Sequence, residues 1–114
     1  MDKRGRTRHN KRLFIRFGLG APDKVGFTED VSSSGLFVKS HFVFAPGTLL
    51  KIELTLPDGP IVSMAAQVMW AKKVPPALIR HMKKSGMGLR LPHPDEVYKK
   101  FIEALHSGAI KADS

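Results

Sequence analysis

Two alternating segments joined by a tight turn constrain the fold of this chain more than any other feature. Apolar residues stand at every second position from Leu50 to Leu56 and again from Val62 to Trp70. Strict alternation gives a strand one buried and one solvent-facing side. The segment between them, Pro57-Asp58-Gly59-Pro60, reverses the chain. The sequence therefore predicts an antiparallel hairpin with Trp70 on its buried side.

The remaining segments predict four more short strands and one helix. Apolar alternation or short apolar runs place the strands at residues 12–17, 24–29, 36–39 and 86–91. An apolar stripe at helical spacing runs from Val97 to Leu105, with acids in the first turn and Gly108 as the stop. Residues 77–85 form a basic connection. We therefore expect a mainly β fold, a small six-stranded antiparallel β-barrel with one C-terminal α-helix, because closure removes exposed strand edges.

Positive charge is concentrated at the start of the chain. The net charge is +9, and six of the 19 lysines and arginines lie within residues 1–12, beside one acid. We expect residues 1–11 to be a flexible basic N-terminal arm, residues 12–108 the barrel with its helix, and residues 109–114 a tail. Such an arm is either a solvated segment or a clamp for a polyanion.

Patterns associated with catalysis and metal binding are missing from the sequence. The five histidines lack metal-ligand spacing, no serine stands in a nucleophile-elbow pattern, and no phosphate-binding Walker sequence occurs. We expect no enzymatic activity, no metal and no cofactor. Cysteine is also absent, which fits a reducing cytoplasm, and no apolar run is long enough to span a membrane. A cytoplasmic protein without membrane insertion is therefore expected.

One polar loop, Asp30-Val31-Ser32-Ser33-Ser34-Gly35, separates two of the predicted strands. Aspartate and serine side chains favour turns because they compete for backbone hydrogen bonds. Gly35 can adopt the positive φ that closes such a turn. A loop with outward-facing N–H groups could hold an anion. Taken alone, this segment is a simple hydrogen-bonded turn.

Two motifs in order resemble the PilZ domain family. Arg8 and Arg12 are spaced R-x-x-x-R before the first strand, and Asp30-x-Ser32-x-x-Gly35 follows between the next two. The Val68-Met69-Trp70 strand ending, the strand at 86–91 and the C-terminal helix extend the resemblance over about residues 8–106. The resemblance implies a six-stranded barrel that binds the bacterial second messenger cyclic di-GMP without catalysis. The ligand contacts that it implies are Arg8, Arg12, Asp30, Ser32 and Gly35.

The chemistry of these side chains suits that ligand, which carries two phosphates and two guanines. An arginine fork can donate to guanine or to phosphate, or stack on a base. Asp30 can accept from the guanine N1–H and N2–H groups. Ser32 can donate to a phosphate or support the loop, and Gly35 is expected to act through its geometry.

Binding is expected to order the arm over the barrel and to signal through contact with an unidentified protein partner. Ordering five residues costs about 5–10 kcal/mol, which charge-assisted hydrogen bonds and stacking offset only in part, so micromolar affinity is expected. Arg4 and Arg8 also read R-x-x-x-R, but Arg12 adjoins the first strand, so Arg8 and Arg12 are preferred. Whether Arg4 or Arg6 also contacts the ligand stays open.

Two alternatives remain open from the sequence. A PilZ-like protein–protein adaptor would not bind nucleotides, but such adaptors usually lack the arginines or the Asp-x-Ser loop. A basic nucleic-acid-binding barrel would fit the sequence pI of about 10.2. It is disfavoured because most of the aromatic residues are expected to lie in the core and not on a strand face interleaved with basic residues.

Overall fold

The computed structural model describes residues 7–75 and 85–113, which form seven strands and one helix. The elements are β1 (His9–Asn10), β2 (Phe14–Gly18), β3 (Lys24–Val31), β4 (Gly35–Lys39), β5 (Leu49–Thr55), β6 (Ile61–Lys72), β7 (Gly86–Arg90) and α1 (Glu96–Ser107). Apart from Ser85, the predicted basic connection at 77–85 lies outside the described residues. The helix and all six predicted strands are present, with boundaries shifted by a few residues.

The sheet closes on itself, which confirms the predicted barrel. Strands β3, β2, β5, β6, β7 and β4 are neighbours in that order, and β4 also pairs with β3. All of these pairings are antiparallel. The short strand β1 is an addition to the barrel and pairs with the end of β3, His9 opposite Val31 and Asn10 opposite Asp30. The N-terminal segment therefore lies beside the Asp30 loop.

Aliphatic and aromatic side chains at every second strand position point inward and fill the barrel. In the predicted hairpin, β5 and β6 pair from Leu49 opposite Gln67 to Thr55 opposite Ile61. The inward residues of both strands are almost fully buried, including Leu50, Ile52 and Leu54. Burial of such side chains stabilises the fold by about 1.5–3 kcal/mol each.

Trp70 does not belong to this interior, so the prediction that it is buried was wrong. Its side chain is 46% exposed, whereas Val68 is 1% exposed. The register of β6 against β7 shifts between Val68 and Trp70. Such a bulge inserts one extra residue and reverses the alternation beyond it. Trp70 therefore faces the outside of the barrel.

Helix α1 packs its apolar stripe against the barrel. Asp95 caps its N-terminus by accepting a hydrogen bond from Val97 N at 2.7 Å. Gly108, at φ 85°, ends it in the left-handed conformation predicted for the stop. Tyr98, Phe101, Ile102 and Leu105 are buried, whereas Val97, the first residue of the predicted stripe, is exposed. No helix in the described part of the chain has both the length and the apolar character needed to cross a membrane.

Candidate functional site

The side chain of Ser32 organises the loop between β3 and β4. It is 1% exposed. Its Oγ accepts from Gly35 N at 3.1 Å and from Ser34 N at 3.3 Å, and it can donate to Gly35 O at 3.2 Å. Ser32 N also donates to Gly35 O. These amides therefore point into the loop, and the expectation of outward N–H groups that hold an anion was wrong for them. Ser32 supports the loop from inside.

Gly35 is required by close packing and not by its backbone angle. Gly35 is not among the residues with positive φ in the described chain, so it does not use the left-handed conformation that glycine allows. A Cβ atom at this position would overlap the carbonyl oxygen of Leu89 on β7 and would lie 3.7 Å from Arg8 Nη2. Gly35 thus lets β4 approach β7 and leaves room for the Arg8 guanidinium above it.

Tyr98 of α1 fixes the same loop from the interior. Its hydroxyl donates to the Ser32 carbonyl oxygen at 2.6 Å, and the ring is fully buried. Burial raises the pKa of Tyr98 far above its ordinary value, while the positive charge of Arg8 opposes that rise. The helix predicted from its apolar stripe therefore also holds the polar loop in place, which the stripe pattern could not indicate.

Tyr98→Phe should lower the free energy of unfolding by about 1–3 kcal/mol, because the buried Ser32 carbonyl loses its hydroxyl partner. Urea denaturation at pH 7 measures this. A variant as stable as wild type would show that the hydrogen bond adds nothing net.

The same tyrosine predicts a loss of stability at high pH. Unfolded tyrosine ionises near pH 10, whereas folded Tyr98 keeps its proton, so the unfolded state binds fewer protons above that pH. Wild-type stability should fall as pH rises past about 10, and Tyr98→Phe should lack this component. The chain has one tyrosine, so tyrosinate absorbance should appear only on alkaline unfolding. Ionisation near pH 10 in the folded protein would contradict this account.

The N-terminal segment runs along the edge of β3 towards this loop. Thr28 holds this segment against β3 through two hydrogen bonds. Its hydroxyl donates to Lys11 O at 2.7 Å and accepts from Leu13 N at 2.9 Å. Lys11 N donates to Glu29 O at 3.1 Å. This pairing continues the antiparallel arrangement of β1 with β3. As a result, Arg8 reaches the loop, while Arg12 remains beside the middle of β3.

Arg8 and Asp30 form an ion pair at the surface of the loop. Arg8 Nη1 donates to Asp30 Oδ1 at 2.6 Å, although the residues are 22 apart in sequence. The Arg8 side chain is 49% exposed and that of Asp30 is 19% exposed. Arg8 Nη2 lies over Gly35. The guanidinium therefore connects the two ends of the loop and still faces solvent.

Arg12 occupies a neighbouring position on the same edge. Its guanidinium lies over the Phe27 ring, with 4.0 Å between Cζ and the ring centroid. Its backbone N donates to Asp113 Oδ2 at 2.6 Å. Arg12 and Phe27 line an open cavity of about 540 Å³, which Arg8, Asp30, Ser32 and Gly35 do not line. The structure therefore brings Arg8, Asp30 and Gly35 together and places Arg12 next to them.

An aromatic surface adjoins Asp30, and sequence reasoning missed it. Asp30, Phe37, Gly88 and Trp70 are successive cross-strand partners on β3, β4, β7 and β6. Such partners share one face of the sheet, here the outside. The Phe37 and Trp70 rings pack edge-on with 5.0 Å between their centroids. A Cβ on Gly88 would overlap the indole. The bulge between Val68 and Trp70 turns Trp70 outward, and the alternating pattern carried no signal of it.

The family model for the PilZ domain matches residues 2–107. The chain belongs to the PilZ domain family. This confirms the resemblance carried by the two motifs. The curated protein sequences contain no match to this PilZ domain.

Two solved structures share the fold of this PilZ domain. The Bacillus subtilis inhibitor of motility, MotI/DgrA, gives a TM-score of 0.71 at 14% identity, over 91% of this chain and 51% of that one. The PilZ domain of Escherichia coli YcgR, solved with c-di-GMP, gives a TM-score of 0.68 at 13% identity, over 90% of this chain and 91% of that one. This chain thus spans about half the length of the motility inhibitor. At these identities the likeness establishes the fold.

The acidic and histidine side chains of this PilZ domain form no metal-binding cluster within residues 7–75 and 85–113. The groups that do converge are a guanidinium, a carboxylate and a glycine, beside two aromatic rings. This set can bind an anion, accept hydrogen bonds from a nucleobase edge and stack on its face.

Proposed function

We propose that this PilZ domain is a non-catalytic receptor for cyclic di-GMP, bound over Arg8, Asp30 and Gly35 with Arg12 beside them. The observation that carries the proposal is the Arg8–Asp30 contact at 2.6 Å, which joins the two motifs at one point on the barrel. The presence of c-di-GMP on the YcgR PilZ domain supports the same ligand for this related fold.

Arg8 and Asp30 supply complementary chemistry for a guanine nucleotide. The ion pair uses Nη1 of Arg8, and the guanidinium has further N–H donors for a phosphate or for guanine O6 and N7. Asp30 Oδ2 makes no hydrogen bond to a described residue and can accept from guanine N1–H or N2–H. Arg8 also neutralises Asp30, which would otherwise repel the anionic ligand.

Arg12 is suited to the second half of the ligand. Its guanidinium already lies flat on Phe27, so a guanine can stack on its other side at little ordering cost. Four residues of extended chain separate it from Arg8 by up to about 13 Å. A ligand with two guanines and two phosphates can therefore extend from Arg8 at the loop to Arg12 at the open cavity beside β3.

Signalling then depends on the segment that carries both arginines. In this structure Asp113 holds part of it: Asp113 N donates to Asn10 O at 2.7 Å, and Asp113 Oδ2 accepts from Arg12 N. We propose that cyclic di-GMP orders the arm, residues 1–11, over the barrel beyond these contacts. The ordered arm changes the surface offered to a protein partner.

Trp70→Ala should weaken cyclic di-GMP binding by about 5- to 160-fold, because stacking on an aromatic ring is worth about 1–3 kcal/mol per base. Trp70 lies in line with Asp30 on the outside of the barrel and is half exposed. It is the one tryptophan of the chain, so ligand should also quench the wild-type fluorescence. Fluorescence titration of the wild type measures the quenching, and calorimetry measures the affinity of the variant, which has no tryptophan.

Ile61→Ala is the matched control for Trp70. Ile61 is 64% exposed on the same strand and lies nine residues away, about 30 Å along β6. This variant should bind as wild type does. Unchanged fluorescence on saturation, together with equal affinities of both variants, would remove Trp70 from the proposed site.

Isothermal titration calorimetry with cyclic di-GMP tests the proposed function, with cyclic di-AMP and GTP as controls. A micromolar dissociation constant for cyclic di-GMP alone is the expected result. No heat with cyclic di-GMP would favour an adaptor that binds only proteins. Salt-dependent binding to generic DNA would favour the nucleic-acid alternative.

A further inference from the structure

Arg90, at the end of β7, lies on the outside of the barrel directly beside the loop. It pairs across the sheet with Gly35 of β4 on one side and with Gln67 of β6 on the other. Opposed residues in antiparallel strands share one face and have Cα atoms about 5 Å apart. Arg90 is exposed, whereas the residues before and after it, Leu89 and Leu91, are buried. Its side chain therefore extends from the same outer surface as the proposed site.

Gly35 separates two arginines at this surface. Arg8 Nη2 is 3.7 Å from the position of a Gly35 Cβ, and Arg90 is the cross-strand partner of the same glycine. Neither Gly35 nor Gln67 brings a carboxylate to Arg90. Within residues 7–75 and 85–113, Arg90 forms no ion pair, while Arg8 is paired with Asp30. An anion between the two guanidinium groups would relieve their mutual repulsion.

The remaining neighbours of Arg90 define the shape of the space around it. Along β7, Gly88 is two residues away on the same face, about 7 Å from Arg90, and is covered by the Trp70 indole. The floor between Arg8 and Arg90 is the bare backbone at Gly35. A flat ligand could lie there with a base towards Trp70 and a phosphate within reach of both cations.

We propose that Arg90 binds the second phosphate of the cyclic dinucleotide whose first guanine–phosphate unit is held by Arg8 and Asp30. This inference rests on the proposed function and adds a residue outside both sequence motifs. A guanidinium without a carboxylate partner contributes its full charge to an incoming anion. Arg90 therefore raises the affinity for a ligand with two phosphates more than for one with a single phosphate.

The test compares three variants of the full chain by calorimetry with cyclic di-GMP. Arg90→Gln removes the charge and should weaken binding about 10- to 100-fold. Arg90→Lys keeps the charge but loses the planar guanidinium fork. Its affinity should lie between those of the wild type and Arg90→Gln. Arg16→Gln is the matched control, because Arg16 is exposed on β2, across the barrel from β7. It should bind within about twofold of wild type.

Salt separates a phosphate contact from a structural effect. Wild-type affinity should fall more steeply with added salt than that of Arg90→Gln, since screening weakens the attraction that the variant has already lost. Equal affinities and equal salt dependence for Arg90→Gln and Arg16→Gln would overturn the inference and leave the proposed function standing. No binding by wild type would overturn the proposed function itself.

Discussion

Arg8→Ala should weaken cyclic di-GMP binding by about 100-fold or more, the largest effect on affinity that we expect from one substitution. Two losses combine: the guanidinium no longer donates to the ligand, and Asp30 is left as an unpaired carboxylate beside two phosphates. Charge-assisted hydrogen bonds are worth about 1.5–3 kcal/mol each, and repulsion adds to their loss. Calorimetry at fixed ionic strength gives the ratio of dissociation constants.

Two further variants make the Arg8 result specific. Arg8→Lys keeps the charge without the planar fork, so it should recover part of the affinity. Arg16→Ala removes the same charge from β2, eight residues along the chain from Arg8, and should change affinity little. Equal losses in Arg8→Ala and Arg16→Ala would mean that overall charge, and not this site, attracts the ligand.

Gly35→Ala should destabilise the barrel and weaken ligand binding together. Its added Cβ would overlap the Leu89 carbonyl oxygen, which belongs to the backbone of β7 and cannot turn aside. Strands β4 and β7 must then separate locally, at a cost of about 1–3 kcal/mol. Thermal unfolding should show a midpoint lower by about 4–15 °C. Binding should weaken as well, because the loop and Arg8 must shift.

Gly20→Ala provides the control for the Gly35 substitution. Gly20 also lacks a positive φ, and a Cβ there would meet nothing within 4 Å. This variant should be as stable as wild type, or slightly more stable through the lower entropy of its unfolded chain. If Gly35→Ala and Gly20→Ala unfolded at the same temperature, the barrel would accommodate the extra atom without strain.

The barrel could be predicted because its strands repeat one simple pattern. Alternation from Leu50 to Leu56 and from Val62 to Val68 depends only on which side of a strand is buried, and a hairpin turn stands between them. Trp70 was misplaced because alternation assumes an unbroken register, and the bulge after Val68 breaks it. The bulge is stabilised by contacts with Phe37 and Gly88 on other strands, which no local pattern contains.

The sequence predicted which residues form the site better than it predicted what each of them does. The motif spacing identified Arg8 and Asp30, and the structure brings them into contact. Gly35 was expected to act through its geometry, and the geometry that matters is its small size, because Leu89, 54 residues away, packs against it. Tyr98 supports the loop from a helix 66 residues from Ser32. Such roles depend on packing between distant segments, and sequence spacing does not encode it.

Backbone amide chemical shifts, recorded while cyclic di-GMP is added to the labelled full chain, test the central claim most directly. We expect the largest changes at Arg8, from Ser32 to Gly35 and at Gly88, with small changes at Arg16 and elsewhere on β2 and β5. Saturable changes centred on β2 and β5, with the Ser32–Gly35 amides unmoved, would contradict the account.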